Sequence, residues 1–249
     1  MNIIKKIVKK QIDRILKLTP YELSRRPLEI PPPTFETVSL ALAYYIQIKP
    51  NGTFVQVGAC DGITGDPVHH LIKQSQIKSV LIEPMEQSFL KLQQAYANIP
   101  NVITYQAAVA QQDGNATIFT VKDCDRWRDF KWATQWSSFN KSHLIKHKVR
   151  EEEIEEITVP TVTLSTLISH FNLGNIDFLM IDTEGFDAEI VKMSLLLPTV
   201  PECIYFEHAH LDPQTRIDLQ QELKNHNYVW VYDKLNTLAI HSKLKKRWT

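Results

Sequence analysis

From residue 53 to residue 241 the chain alternates short apolar runs with longer amphipathic stretches, and this rhythm restricts the fold more than any other feature. The runs at 53–58, 79–83, 102–107, 176–182 and 203–207 have strand length and are apolar at nearly every position, as strands covered on both faces must be. Between and after them, 67–74, 86–98, 163–171, 187–193 and 214–226 carry helical spacing. Such alternation builds a mostly parallel sheet with helices packed on both faces. The chain closes differently. Residues 228–232 and 237–241 are two strand-like runs joined by a polar turn, and so short a connection makes the pair antiparallel. An alternating run at 116–121 predicts one further strand, and 40–48 a helix before the first strand.

Ahead of this pattern, Ile3, Ile4, Ile7, Val8, Ile12, Ile15 and Leu16 recur at helical spacing, with Lys5, Lys6, Lys9, Lys10, Arg14 and Lys17 on the rest of the wheel. A basic amphipathic helix of this kind packs on its own domain, on a second subunit or on a membrane surface. Pro20, Pro27 and Pro31 to Pro33 then break regular structure. The expected organisation is therefore a helix and Pro-rich linker over 1–33, and one domain over 34–249 with an aromatic-rich insertion at 123–156. Lys plus Arg and Asp plus Glu are both 28, so the zero net charge excludes a chain-wide basic field for nucleic acid, and no nucleic-acid partner is expected. Three scattered cysteines make neither a disulfide framework nor a CxxC zinc site, which suits a reducing compartment. No run approaches the ~18 apolar residues of a membrane span, and the first residues lack a secretory h-region. The expected location is cytoplasmic.

Three of the seven glycines, Gly58, Gly62 and Gly65, fall in the loop after the first strand. Glycine there permits a sharp turn and close approach of a ligand. Glu83 ends the second strand, where a carboxylate can accept from both ribose hydroxyls of a nucleoside; a structural turn with a solvated or capping Glu83 is the plainer alternative. A dinucleotide site wants G-x-G-x-x-G, but its second glycine is Cys60 here. S-adenosylmethionine has no pyrophosphate and makes no such demand, and its ammonium could meet Asp61 or Asp182. The closing antiparallel pair also matches the seven-stranded, Rossmann-like sheet of the class I methyltransferases.

The stretches FVQVGACDGITGDP (54–67) and FLMIDTEGFDAEIVK (178–192) resemble the two most characteristic blocks of the FkbM-type methyltransferases. VPTVTLSTLI (159–168) and IYFEH (204–208) fit the same family in the same order, so the resemblance covers about 50–241. It implies a methyltransferase domain over 34–249 using S-adenosylmethionine on a hydroxyl, of a sugar or glycan intermediate. It places Gly58, Asp61 and Gly62 along the methionine end, Glu83 at the ribose, Ala107 and Ala108 beside the adenine, and Asp182 facing the sulfonium and the incoming hydroxyl. Gln56 stands where an acidic residue is usual and Cys60 where glycine is usual, which leaves the amino-acid-end contacts open. Two other readings stand beside it: a nicotinamide-dependent oxidoreductase on a similar sheet, and a nucleoside-binding protein without activity.

An alcohol needs its proton removed before it attacks, by a base or with the help of a metal. His208 is the expected general base, with Asp182 and Glu184 as further catalytic candidates and His210 on the substrate side. The alternative is Mg²⁺ held by Asp182 and Glu207. Asp187 reads as the N-cap of the following helix, as Asp66 does earlier; Glu184 divides between a site role and loop stabilisation. In the insertion, Trp127, Trp132 and Trp136 lie near Phe130 and Phe139 among charged residues. Trp132 and Trp136 could stack on a sugar ring, or the aromatics could form a satellite core. Ser137 and Ser138 could touch cofactor or substrate, and 141–156 reads as a solvated helix.

Overall fold

The computed structural model describes residues 36–124, 126–127 and 136–245. The N-terminal helix and linker, together with Trp132 and Phe130, lie outside the described residues. The elements run α1 (Thr37–Ile48), β1 (Thr53–Val57), α2 (His69–Gln74), β2 (Lys78–Ile82), α3 (Glu86–Tyr96), β3 (Val102–Tyr105), β4 (Ala108–Val109) and β5 (Gly114–Val121). They continue with β6 (Ser137–Ser138), α4 (Lys141–Lys146), β7 (Ile154–Val162), α5 (Leu164–His170), β8 (Phe178–Ile181), α6 (Asp187–Leu195) and β9 (Cys203–Glu207). The last are α7 (Pro213–Asn225), β10 (Tyr228–Asp233), β11 (Asn236–His241) and α8 (Ser242–Lys245).

Seven strands form one sheet in the order β10-β11-β9-β8-β1-β2-β3. Strands β3, β2, β1, β8 and β9 pair in parallel, and β11 is antiparallel to both β9 and β10. This is the class I methyltransferase sheet with its antiparallel close, as the sequence pattern implies. The pleat divides each strand between two apolar layers. Val55, Val57, Leu179, Ile181, Ile204 and Phe206 face the layer that takes in Leu167, Ile190, Val191, Leu219 and Leu223 of α5, α6 and α7. Their neighbours Phe54, Phe178, Met180, Cys203 and Tyr205 face Val38, Leu42, Ile72, Phe89 and Leu92 of α1, α2 and α3.

A second sheet, β4-β7-β5-β6, holds the insertion. Strand β5 confirms the alternating run at 116–121, but the solvated helix expected over 141–156 does not form. Only Lys141–Lys146 is α-helical; Glu151–Glu153 is a single 3₁₀ turn, and Ile154 begins a nine-residue strand antiparallel to β5. The β-branched run Ile157-Thr158-Val159, with Ile157 and Val159 packing on one face, favours a strand over the helix suggested by the acidic residues. Among the described residues no helix is long and apolar enough to cross a membrane.

The lower end of the main sheet is fastened by Asp177, whose carboxylate is buried. It accepts from the Thr53 backbone N–H at 2.8 Å, from the Lys49 ammonium and from the Asn175 amide. Its backbone carbonyl accepts from Glu202 and Cys203, so one residue ties β1, β8 and β9 at their N-terminal ends. Asp177→Ala leaves several of these donors unpaired, and a loss of about 2–4 kcal/mol is expected. A fall in the urea midpoint at unchanged m-value would show it; an unmoved midpoint would mean the fastening adds nothing.

Candidate functional site

The carboxyl ends of β1, β2 and β8 open into a crevice lined by Gln56, Gly58, Cys60, Asp66, Glu83 and Asp182 together with Ala107, Ala108, Ser138, Phe139 and Glu184. It is open to solvent and spans about 1060 Å³ of empty space, solvent at its mouth included. Clefts at this end of a parallel sheet are the usual ligand sites of such folds.

Gly58 stands at the seam of β1 and β8 with φ of +81°. A Cβ there would lie 1.8 Å from the Asp182 carbonyl oxygen, so glycine is required by the chain itself as well as by any ligand. Gly62 does not reach the crevice. Its missing side chain makes room for Leu92 and Tyr96, at 2.5 and 2.7 Å from an added Cβ. Asp61 does not reach it either. Its carboxylate turns back to accept from the N–H groups of Ile63 and Thr64 and from the Thr64 hydroxyl. Desolvation is the largest single influence on it and raises its pKa, but these bonds together outweigh it and the pKa is lowered. These two expected contacts to a methionine end are therefore loop-forming residues.

Gln56 and Asp66, by contrast, do line the crevice. Gln56 is buried in the central strand, and its Oε1 has no hydrogen-bond partner among the described residues. An orphaned buried acceptor is costly unless a ligand donor completes it. Asp66 is not the N-cap of α2, which begins at His69; it accepts from Val68 N–H instead. Burial pushes its carboxyl up to about 6. Neither stands among the residues expected to line the site, although the unusual residue type at Gln56 marks the position.

Glu83 is 6% exposed and closes the crevice beside the second strand. Its Oε2 accepts from Cys60 N–H and its Oε1 from Met85 N–H, both at 2.9 Å. Each oxygen keeps a second lone pair for a ligand hydroxyl. Burial outweighs these two bonds and pushes the Glu83 carboxyl up to about 7. Ala107 and Ala108 line the crevice with their small side chains.

Asp182, at the end of β8, lines the same crevice. Burial, then the negative charges of Asp187, Glu184 and Glu207, hold its carboxyl well above the usual range. Asp187 is the first residue of α6 rather than its N-cap. It is buried, accepts from the Thr183 hydroxyl at 2.9 Å and from Glu207 N–H at 3.2 Å, and so joins the β8 loop to the end of β9. Burial pushes it up to about 6.

Beyond Asp182 the chain turns through Glu184, a non-glycine residue at φ of +52°. The Ser138 hydroxyl donates to the Glu184 carbonyl at 2.7 Å, and His143 Nε2 lies 2.9 Å from the Glu184 carboxylate. His210 joins them, its Nε2 3.2 Å from Glu207 and 3.7 Å from Glu184. The hydrogen bond to Glu207 raises the His210 pKa.

The structure does not bring His208 into this group. After β9 the pleat puts it on the side of Phe206, and both line a separate pocket with Leu219, Leu223 and Trp230. His208 Nδ1 hydrogen-bonds the Thr237 hydroxyl at 2.9 Å, and burial lowers its pKa. The expectation of a His208 general base is thereby corrected. The Mg²⁺ alternative also finds no support: the donors that converge are His143, His147, Glu184 and His210, an imidazole-rich set poorly suited to Mg²⁺, without Asp182 or Glu207.

Trp136 lies against other aromatics. It stacks on His147 at 4.9 Å and meets Trp127 edge-on at 5.7 Å. Trp127, Leu144, Val149 and Ile154 pack with it as a satellite core, with Trp127 Nε1 donating to Glu153. The sugar platform expected at Trp136 is thus engaged in packing, while Trp132 falls outside the described residues. Among the described residues, Phe139 is the insertion aromatic that lines the crevice.

A family model described as Methyltransferase FkbM domain matches residues 56–230, more than half of the chain. The chain belongs to the FkbM methyltransferase family. The solved FkbM methyltransferase of Methylobacillus flagellatus KT is similar at 11% identity and a TM-score of 0.48, over 77% of this chain and 44% of that one. The fibrillarin pre-rRNA processing protein of Methanococcus jannaschii is similar at 11% identity and a TM-score of 0.39, over 78% and 66%. An O-methyltransferase of Bacillus cereus, solved in complex with SAH, gives 11% and 0.39, over 94% and 88%. This FkbM domain therefore spans under two thirds of the first two proteins' lengths. No curated protein sequence matches it.

Glu83 gives the FkbM crevice a measurable pH signature. The folded chain holds the Glu83 proton up to about pH 7, whereas the unfolded chain releases it near the ordinary carboxylate value. Its contribution to stability is complete below that ordinary value and is lost as pH rises through about 7. The melting-temperature difference between wild type and Glu83→Gln should shift against wild type as pH is raised from 4.5 to 8. A difference that stays constant across that range would contradict the burial argument.

Proposed function

We propose that this protein transfers the methyl group of S-adenosylmethionine to a hydroxyl oxygen of a sugar or glycan intermediate. The observation that carries the cofactor is the unpartnered Oε1 of Gln56, buried in the crevice beside the Asp66 carboxyl. An ammonium placed there donates to both, so Gln56 serves where an acidic residue is usual in methyltransferases generally. Glu83 takes the ribose hydroxyls with its remaining lone pairs, and Ala107 and Ala108 leave a flat apolar wall for the adenine.

When bound, S-adenosylmethionine supplies an electrophilic methyl on a cationic sulfur. Asp182 and its carboxylate neighbours give that end of the crevice a negative field, which suits a cationic ligand. The acceptor oxygen approaches from the side of Glu184, His210 and Phe139, whose ring offers an apolar face to a sugar. The carbon–oxygen bond forms as the carbon–sulfur bond breaks, the electron pair stays on sulfur, and the hydroxyl proton leaves to solvent on the acceptor side. Positioning of the two reactants in one crevice supplies much of the rate.

Titration calorimetry should show binding of S-adenosylmethionine and of its demethylated product, and none of NAD. Gln56→Leu, close in volume and without the acceptor, should weaken that binding by about 1–3 kcal/mol while keeping the melting temperature near wild type. Unchanged affinity would remove Gln56 from the cofactor site; no affinity in the wild type would remove the cofactor. Labelled methyl recovered from sugar acceptors as a base-stable ether would establish transfer to a hydroxyl, and a base-labile ester would refute it.

A further inference from the structure

We infer that His143, His147, Glu184 and His210 form a binding site for a divalent transition-metal ion of the zinc type at the acceptor edge of the crevice. One ligand atom from each of these residues can be chosen so that all four lie within 4.8 Å of one another. A tetrahedral ion with bonds of about 2.0–2.1 Å requires ligand atoms roughly 3.3 Å apart. The separations of Glu184 from His143, 2.9 Å, and from His210, 3.7 Å, bracket that spacing. Small side-chain rotations therefore close the set without moving the backbone.

The three imidazoles come from two separate parts of the chain. His143 and His147 are four residues apart at the end of α4, which puts them on one face one turn apart, their ring centroids separated by 4.7 Å. His210 follows β9, its ring 4.6 Å from that of His143 and 5.4 Å from that of His147. Glu184 supplies the carboxylate from the loop after β8. That loop is held in a left-handed conformation by the Ser138 bond to the Glu184 carbonyl, the kind of local strain that clusters at ligand sites. Glu207, 3.2 Å from His210 Nε2, is near enough to serve as a fifth ligand.

The donor chemistry selects the ion. Three imidazoles and a carboxylate suit Zn²⁺, Fe²⁺, Co²⁺ or Ni²⁺, whereas Mg²⁺ asks for a nearly all-oxygen shell. Glu184 also lines the crevice, so an ion on its carboxylate lies at the crevice wall. Its part there, which rests on the methyltransferase reading above, is to hold the acceptor hydroxyl oxygen.

The test uses the full-length protein without an affinity tag, stripped with chelator and dialysed against ZnCl₂. One Zn²⁺ per chain is expected by elemental analysis, undisturbed by a hundredfold excess of Mg²⁺. The double variant His143→Gln/His147→Gln should bind Zn²⁺ at least tenfold more weakly by competition with a chromophoric chelator. His210→Gln, on a different segment, should do the same and serves if the double variant fails to fold. Co²⁺ added to the wild type should give the intense visible bands of a four- or five-coordinate site. Sub-stoichiometric Zn²⁺, affinity unchanged in the variants, or the weak spectrum of six-coordinate aqueous Co²⁺ would overturn the site. Retained Zn²⁺ with no affinity for S-adenosylmethionine would overturn the cofactor reading and leave the metal site standing.

Discussion

The crevice exists because β1 and β8 come together at their ends as closely as two backbones can. Gly58 presses against the Asp182 carbonyl, and the Asp182 N–H donates to the Val57 carbonyl at 2.9 Å. Past that seam the two loops separate to opposite walls: one carries Cys60 to Pro67, the other Thr183 and Glu184. Any side chain at position 58 would force the strands apart at the point where the ligand must sit. The core reinforces the arrangement, since Val55, Val57, Leu179 and Ile181 are fully enclosed and leave these strand ends little freedom to shift.

The second sheet acts on the same point from above. Strand β6 and helix α4 belong to the insertion, yet Ser138 and His143 both bond to Glu184, in the loop after β8. The satellite core of Trp127, Leu144, Val149 and Ile154 sets where α4 lies, and therefore where its two histidines point. An interior made of few large side chains gives a short helix of six residues a fixed position that its own hydrogen bonds could not. The aromatic residues of the insertion thus bear on the site indirectly, by placing the imidazoles.

How much of this could be read from the chain follows from the physics of each signal. The main sheet was legible because strands buried on both faces leave continuous apolar runs, and the 228–241 hairpin because its turn is too short for anything else. Strand β7 was hidden: its outward Glu155, Glu156 and Thr158 mask an inward alternation that only pairing with β5 makes meaningful. Within the site, Gly58, Glu83 and Asp182 were legible because they end central strands, where geometry leaves one direction to point. Asp61 and Gly62 were misread because a loop residue can serve its own turn as readily as a ligand. His208 continues on the side of Phe206 just past the end of β9, and it is the turn that follows, which periodicity does not reveal, that brings His210 back to Glu207 and Glu184. His143 and His147 did carry a readable mark, their four-residue spacing, but it lay in a basic-then-acidic run that suggested only a solvated face.

The electrostatics of the crevice explain why such a site can be built at all. Asp187 and Glu83 are nearly enclosed, and burial raises both of them, so the empty site disfavours full ionisation of these carboxyls. Proteins rarely retain buried acids without partners, because water solvates them far better. Here hydrogen bonds from Cys60, Met85, Thr183 and Glu207 keep the carboxyls in place without neutralising them. A cationic ligand entering the crevice recovers the lost solvation and draws the carboxyls back toward ionisation, so that binding and proton release are coupled. Burial opposes the ionisation of these carboxyls in the empty site, and a cation beside them would restore it.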